Sequence, residues 1–495
     1  MLFSSMFFLW GFLPTVLAAD LLISVLPFRS SVTRNRVKNR FLLVASLLFY
    51  AWGGINCLFI MLASILLNYT GGLILNRSET ERRKTLVLSA VVFLNLALLF
   101  YFKYFNLLIV ILESFGELRH GFHAFLSSMI GMTGTGALGI RRVVLPIGIS
   151  FFTFQSMSYV IDLKRGRIGV QRNLLDFALY VSFFPQLIAG PIVRYTEIEQ
   201  QLLGRRESAS LFSEGIRRFC YGLGKKVLLA NPLALFVDRI FDGEIAGIGA
   251  PAAWCAIVAY ALQIYFDFSG YSDMAIGIGR MLGFSFGENF NAPYLATSVQ
   301  DFWRRWHISL STWFREYVYF PLGGSRKGVA RTCLNVLIVF CLTGIWHGAN
   351  FTFLIWGLMY AVLLILERLF LGNWLKRNPI KPLNTLYTLF FVLIGWVFFR
   401  ADTVFDAWTF LCEMFSFRLN GYFFVSLLSG EFLLALCVGL FSIGWLSRCL
   451  ARPLTRINAH PVGKICGTVL QLSILCLSVG ALVNGTYNPF IYFRF

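Results

Sequence analysis

The chain has 495 residues, 57% of them apolar and only 14% charged, with 52 phenylalanines and a mean hydropathy of +0.70. That composition excludes the water-soluble, disordered and collagen-like classes. Apolar runs long enough to cross a bilayer recur along nearly the whole length, which leaves no room for a large soluble domain. The chain reads as an all-α, polytopic membrane protein.

Lys and Arg number 43 against 24 Asp and Glu, a net charge of +19. In a soluble protein such an excess would suggest nucleic acid, but here the basic residues fall in short blocks between apolar runs: 29–40, 77–84, 164–172, 326–331, 376–381 and 448–464. This is the positive-inside pattern, so the partner is the lipid bilayer, no nucleic acid is expected, and the blocks are placed in the cytoplasm. The ten cysteines stand singly with no CxxC pair, so no metal site is expected.

In chain order, residues 2–27 form a first span without a basic n-region, which is read as retained rather than cleaved. Residues 41–76 make an out-and-back pair around Gly53 and Gly54, and 85–105 run outward. The stretch 106–142 lies outside or at the interface, and 145–162 returns inward. The run 174–193 is interrupted by Pro185 and Pro191, and Arg194 to Glu214 reads as interfacial. Further membrane segments are 215–240, 252–268, 332–370 as an out-and-back pair, 383–400, 430–447 and 465–484. About 11 spans result from the ~20-residue rule. Residues 1–495 read as one membrane domain, ending in an outside tail, 485–495. No internal repeat of the kind common in transporters is visible.

Ionisable residues inside membrane segments are costly and therefore mark candidate sites. His120, His123 and His460 lie in polar stretches and read as solvated. His307 shares one helical face with Trp303, Trp306, Leu310, Trp313, Phe314 and Tyr317 by 3.6 spacing. Two readings fit: an interfacial helix with a tryptophan belt, or a histidine held beside Arg304 and Arg305, which can bind phosphates. His347 lies in a mostly apolar run, 334–370, almost twice as long as one crossing needs. That run must bend near Gly344, Gly348 and Asn350, leaving His347 at the bend. There it can serve as a general base or simply bond freed carbonyls. Asp267 and Asp273, in Tyr265-Phe-Asp-Phe-Ser-Gly-Tyr-Ser-Asp273, either orient a histidine or bond backbone at a broken helix. No nucleotide-binding loop, zinc motif or nucleophile elbow is present.

Four motifs in order carry a resemblance: 265–277 (YFDFSGYSDMAIG), 289–294 (NFNAPY), 302–313 (FWRRWHISLSTW) and 344–350 (GIWHGAN). Together with 145–152 and 187–194 they resemble the membrane-bound O-acyltransferase family, in the branch of the alginate and peptidoglycan O-acetyltransferase membrane components. The resemblance implies a helical bundle around a tunnel, with His347 as the active-site histidine and His307 as its upstream partner. The C-terminal Phe490-Ile-Tyr-Phe-Arg-Phe495 is similar to the branch's Phe-x-Tyr-Phe-x-Phe motif, which implies Tyr492 as an acyl carrier; taken without that likeness, the segment is an aromatic belt.

On this basis the chain is expected to be a multi-pass acetyltransferase of the bacterial cytoplasmic (inner) membrane. It would hold no bound cofactor, use acetyl-CoA as its cytoplasmic donor, and pass acetyl to a polysaccharide through an extracytoplasmic SGNH-type or related transferase. His347 would take the proton of the attacking oxygen, while His307, Arg304 and Arg305 would position donor phosphates or the thioester carbonyl. Asp267, Asp273 and Asn350 would support the site. The alternatives are a proton-coupled transporter or flippase using the same acids and histidines, and a lipid-modifying enzyme with a long-chain donor.

Overall fold

The computed structural model describes residues 1–114, 145–419, 421–444, 461–485 and 487–491, which are helical and contain no strand. Most of 106–142, together with His120, His123 and His460, lies outside the described residues. Among the described residues eight helices are long and apolar enough to cross a membrane: Phe8–Val25, Ile55–Arg77, Glu81–Leu108, Ala250–Met281, Val329–His347, Phe351–Arg377, Lys381–Arg400 and Val462–Asn484. Further segments placed in the membrane from sequence differ for visible reasons. Ser31–Ala51 carries the first basic block, Ile149–Lys164 has 16 residues, and Gly430–Ser442 has 13. Residues 215–240 are divided by a π-helical turn at Lys225–Ala230.

The chain divides into two compact units. One comprises Leu26–Ile188 and Ile192–Gly204. Its first helix starts at Ser31, capped by the Ser30 hydroxyl accepting from the Thr33 N–H, so the basic block expected in a loop is helical. Asn35 and Asn39 on that helix are buried and donate to the Leu203 and Leu202 carbonyls, each at 2.8 Å. The turn at Gly53 and Gly54 separates it from Ile55–Arg77, with Gly54 at φ 140°. Asn68 and Asn95 exchange two 3.0 Å amide hydrogen bonds between neighbouring helices, the usual polar tie inside an apolar bundle.

The other unit comprises Met1–Val25, Ala189–Pro191 and Arg205–Phe495. Its axis is Ala250–Met281, which reaches about 48 Å at ~1.5 Å per residue. In that helix 83% of the most apolar window is buried, against 39% or less in the other seven spans, so it is a core helix surrounded by protein. The helix Ala209–Gly224 lies against it through two glycine pairs. A Cβ on Gly222 would sit 2.6 Å from the Gly270 carbonyl oxygen, and one on Gly215 would sit 2.6 Å from that of Gly277. The pairs step in opposite directions along the two sequences, so the helices run antiparallel with backbones in contact.

Because backbone atoms cannot yield as side chains do, Gly270→Ala is expected to cost about 1–3 kcal/mol. Thermal unfolding in detergent should show a clear drop in melting temperature. Gly480→Ala, where an added Cβ meets nothing within 4 Å, should not show it.

Candidate active site

The run 334–370 folds as a helical hairpin. Val329–His347 ends on His347, Gly348 to Asn350 turn, and the Asn350 side chain caps Phe351–Leu366 by accepting from the Thr352 N–H at 3.2 Å. Two glycines close the hairpin: a Cβ on Gly344 would sit 2.4 Å from the Phe353 oxygen, and one on Gly357 2.4 Å from the Phe340 oxygen. His347 is thereby buried at the tip, its ring packed edge-on against Trp346, Trp356 and Phe399 at centroid distances of 4.9, 5.0 and 5.1 Å. Asn350 is a capping residue whose amide also donates to the Asp402 carbonyl at 2.6 Å.

The single amphipathic helix expected over 301–317 is broken. Val299–Arg305 stops, Trp306 is extended at φ −101°, His307 adopts the left-handed conformation at φ 43°, ψ 55°, and Ile308–Phe314 begins. The backbone of 289–291 bridges the break, with the Asn291 N–H donating to Arg305 O and the Ile308 N–H donating to Asn289 O. Trp303, Trp306, Leu310, Trp313, Phe314 and Tyr317 are buried, so the aromatic face packs the protein core rather than a lipid interface. His307 is 1% exposed and lies edge-on to Phe268 at 4.7 Å and Trp346 at 6.2 Å. Trp346 therefore touches both histidines. Burial pushes the His307 pKa down to about 3, which keeps the ring neutral at pH 7.

The two acids do different work from orienting a histidine. Asp267, on the core helix next to Phe268, forms a 2.8 Å ion pair with Lys226, both side chains being 3% exposed. Its other oxygen accepts from the Ile491 N–H at 2.8 Å. Lys226 donates to the Pro489 carbonyl and, at 2.9 Å, to Asn231, while Asn488 bonds Ser4. Phe490 and Ile491 are buried, with Phe490 against Tyr271. The last described residues are thus seated in the core by a buried ion pair. Tyr492, next in sequence, lies outside the described residues. Asp273 instead joins Arg218 and Lys225 at 2.8 and 2.6 Å, beside a separate cavity of about 870 Å³.

Arg304 and Arg305 also part company. Arg305 is held by Asp301 at 3.0 Å and donates to the Asn291 carbonyl. Arg304 lines a cavity of about 1020 Å³ with Arg315, Arg368, Lys376 and Lys381, next to Trp303 and Thr343. That size is at the upper end of the ~300–1,000 Å³ range of small-molecule sites. Glu367, also on its wall, accepts from the N–H groups of Val299 and Gln300 at 2.6 and 2.9 Å and ties the two basic segments together. The sequence singled out Arg304 but missed Arg368, because residues 304 and 368 meet only through this fold.

Residues 58–405, more than half of the chain, match the model of the membrane-bound O-acyltransferase family. The chain belongs to the membrane-bound O-acyltransferase family. It is 39% identical to the probable alginate O-acetylase AlgI of Pseudomonas putida over 100% of both chains. It is 33% identical to the peptidoglycan O-acetyltransferase of Helicobacter pylori over 82% of this chain and 78% of the relative. A teichoic acid D-alanyltransferase of Bacillus subtilis is 30% identical over 51% of this chain and 66% of its own. The protein is accordingly a multi-pass membrane acyltransferase, which displaces the transporter alternative. Both histidines, Asp267 and the basic cavity fall within the matched residues, whereas the tail lies beyond them and within the AlgI alignment.

The seat of the tail has a measurable signature. A charge-assisted hydrogen bond contributes about 1.5–3 kcal/mol, so replacing both charges, in Lys226→Met/Asp267→Leu, should speed amide exchange at Ile491 by roughly 10- to 100-fold. Hydrogen-exchange mass spectrometry should find Val329–His347 unchanged in the same variant.

Proposed function

We propose that this acyltransferase carries acetyl groups from cytoplasmic acetyl-CoA to polysaccharide hydroxyls outside the bacterial inner membrane, handing them to an extracytoplasmic transferase of the SGNH type or a related one. The observation that carries the reading is the buried seat of residues 487–491. Ile491, the residue before Tyr492 in sequence, is bonded to Asp267, whose neighbour Phe268 packs edge-on to the His307 ring. The polysaccharide is alginate-like or peptidoglycan, the acceptors named in the O-acetylating relatives.

In this scheme the basic cavity holds the phosphates of the donor, which is too highly charged to cross the bilayer itself. Arg304 and Arg368 contact those phosphates. The Tyr492 oxygen attacks the thioester carbonyl while His347 takes the phenolic proton. The C–S bond breaks, the coenzyme thiolate leaves and recovers that proton, and an acetyl ester remains on tyrosine. A phenol of pKa ~10 is a poor nucleophile at neutral pH without such a base. A hydroxyl of the partner or of the polysaccharide then attacks the ester, and the tyrosine O–H is restored.

Two experiments test this reading. Purified protein incubated with radiolabelled acetyl-CoA should carry label on Tyr492 by peptide mapping, and His347→Ala should lower labelling by about 100- to 10,000-fold. Tyr492→Phe should abolish it; labelling and polysaccharide acetylation that persist in this variant would remove the tyrosine from the route. Separately, Arg304→Ala or Arg368→Ala should raise KM for acetyl-CoA about tenfold or more, the loss of one charge-assisted contact, while kcat changes less. An unchanged KM in both would place the donor elsewhere.

A further inference from the structure

We propose that Asn289 is a positioning residue that holds His307 in the Nδ1–H tautomer, so that its Nε2 meets substrate as a hydrogen-bond acceptor. The assignment follows from one oxygen atom. Asn289 is 1% exposed, and its Oδ1 receives the backbone N–H of Ser309 at 3.2 Å and the Ser309 hydroxyl at 2.9 Å. A backbone N–H can only donate, which identifies this end of the amide as the oxygen, and the other end, Nδ2, donates to the Ser272 hydroxyl at 3.3 Å. His307 Nδ1 lies 3.2 Å from that oxygen and 3.5 Å from the Ser309 hydroxyl, whose proton the shorter 2.9 Å contact directs to Asn289. Two lone pairs facing each other at this distance would repel, so Nδ1 carries the hydrogen and the neutral ring keeps its lone pair on Nε2.

Two costs accumulate at His307. Its Nε2 is buried with no hydrogen-bond partner among the described residues, which leaves a desolvated polar atom unsatisfied. Its left-handed backbone is a second, conformational cost. A histidine serving only to pack or to anchor would have neither. The hydrogen bonds of 289–291 to both sides of the break hold the residue in that conformation, so one short segment fixes the backbone and the tautomer together.

The consequence is directional. A lone pair at Nε2 accepts from an O–H or N–H of bound substrate; it does not donate to a thioester carbonyl or a phosphate. This reverses the role expected for His307 from sequence, where it was to position the carbonyl or the phosphates. The acyl-transfer reading supplies the reaction in which the atom acts, whereas the tautomer is a property of the unliganded protein and is measured without substrate.

The test has two arms. In wild-type protein labelled with 15N-histidine, the signal lost in His307→Asn, a substitution that tolerates the left-handed backbone, should show a directly bonded proton on Nδ1 and none on Nε2. A proton on Nε2 overturns the proposal whatever the activity. In the second arm, Asn289→Ala, which removes the acceptor, should release the tautomer and lower kcat at least tenfold with little change in KM. Asn289→Asp, which restores an oxygen, should recover at least tenfold of that loss. If Asn289→Ala fails to fold, the wild-type spectrum and Asn289→Asp still decide. A tautomer freed with kcat unchanged overturns the positioning role, as does a loss that Asp does not rescue.

Discussion

Close backbone contact between Ala209–Gly224 and Ala250–Met281 is the constraint on which the larger unit depends. Gly215 against Gly277 and Gly222 against Gly270 leave no room for a side chain between the two helices. With lipid as solvent, apolar burial gives helices little reason to associate, and the gain comes from close packing where small residues permit it. This contact fixes the helix that carries Asp267, Phe268, Ser272 and Asp273. It therefore also fixes the seat of the C-terminal segment, the ring that covers His307 and the hydroxyl that completes the Asn289 network.

The buried acids share a second theme. Asp267 accepts from the Ile491 N–H, Glu367 from those of Val299 and Gln300, and Glu413 from those of Gly247 and Gly249. Each carboxylate accepts backbone N–H groups that no helical hydrogen bond uses, in irregular chain at Ile491, Gly247 and Gly249 and in the first turn of Val299–Arg305, where an unsatisfied N–H in an apolar interior would be costly. The acids thus fasten irregular chain and a helix start. The two histidines sit among aromatic rings instead. The division gives the site rigid supports on one side and imidazoles packed by rings on the other.

Several of these features were legible in the sequence. The hairpin bend at Gly348 to Asn350 follows from a run too long for one crossing, and the turn at Gly53 and Gly54 from the same arithmetic. The break in the helix expected over 301–317 is invisible in sequence because periodicity reports which residues share burial, not whether the chain is continuous. Trp303, His307 and Leu310 are all buried, yet a break at Trp306 and His307 lies between them. Asp267 and Asp273 stood out as charges in apolar surroundings, but their partners, Lys226, Lys225 and Arg218, come from another helix region and no spacing rule links them. Asn289 opens the motif 289–294, yet a neutral amide gives no signal in sequence until its oxygen is seen beside an imidazole.

Sequence alone determined that this is an all-helical membrane protein with two candidate histidines and a family resemblance strong enough to name acyl transfer, because hydropathy, charge blocks and motif order are properties of the linear chain. Tertiary structure alone decided which charges meet. It put Arg304 with Arg368 on one cavity, Asp267 with residues near the C-terminus, and Asn289 with His307. The physical reason is that hydrogen bonds and ion pairs act over about 3 Å between residues tens or hundreds of positions apart, and only the packing of helices specifies which of them come that close.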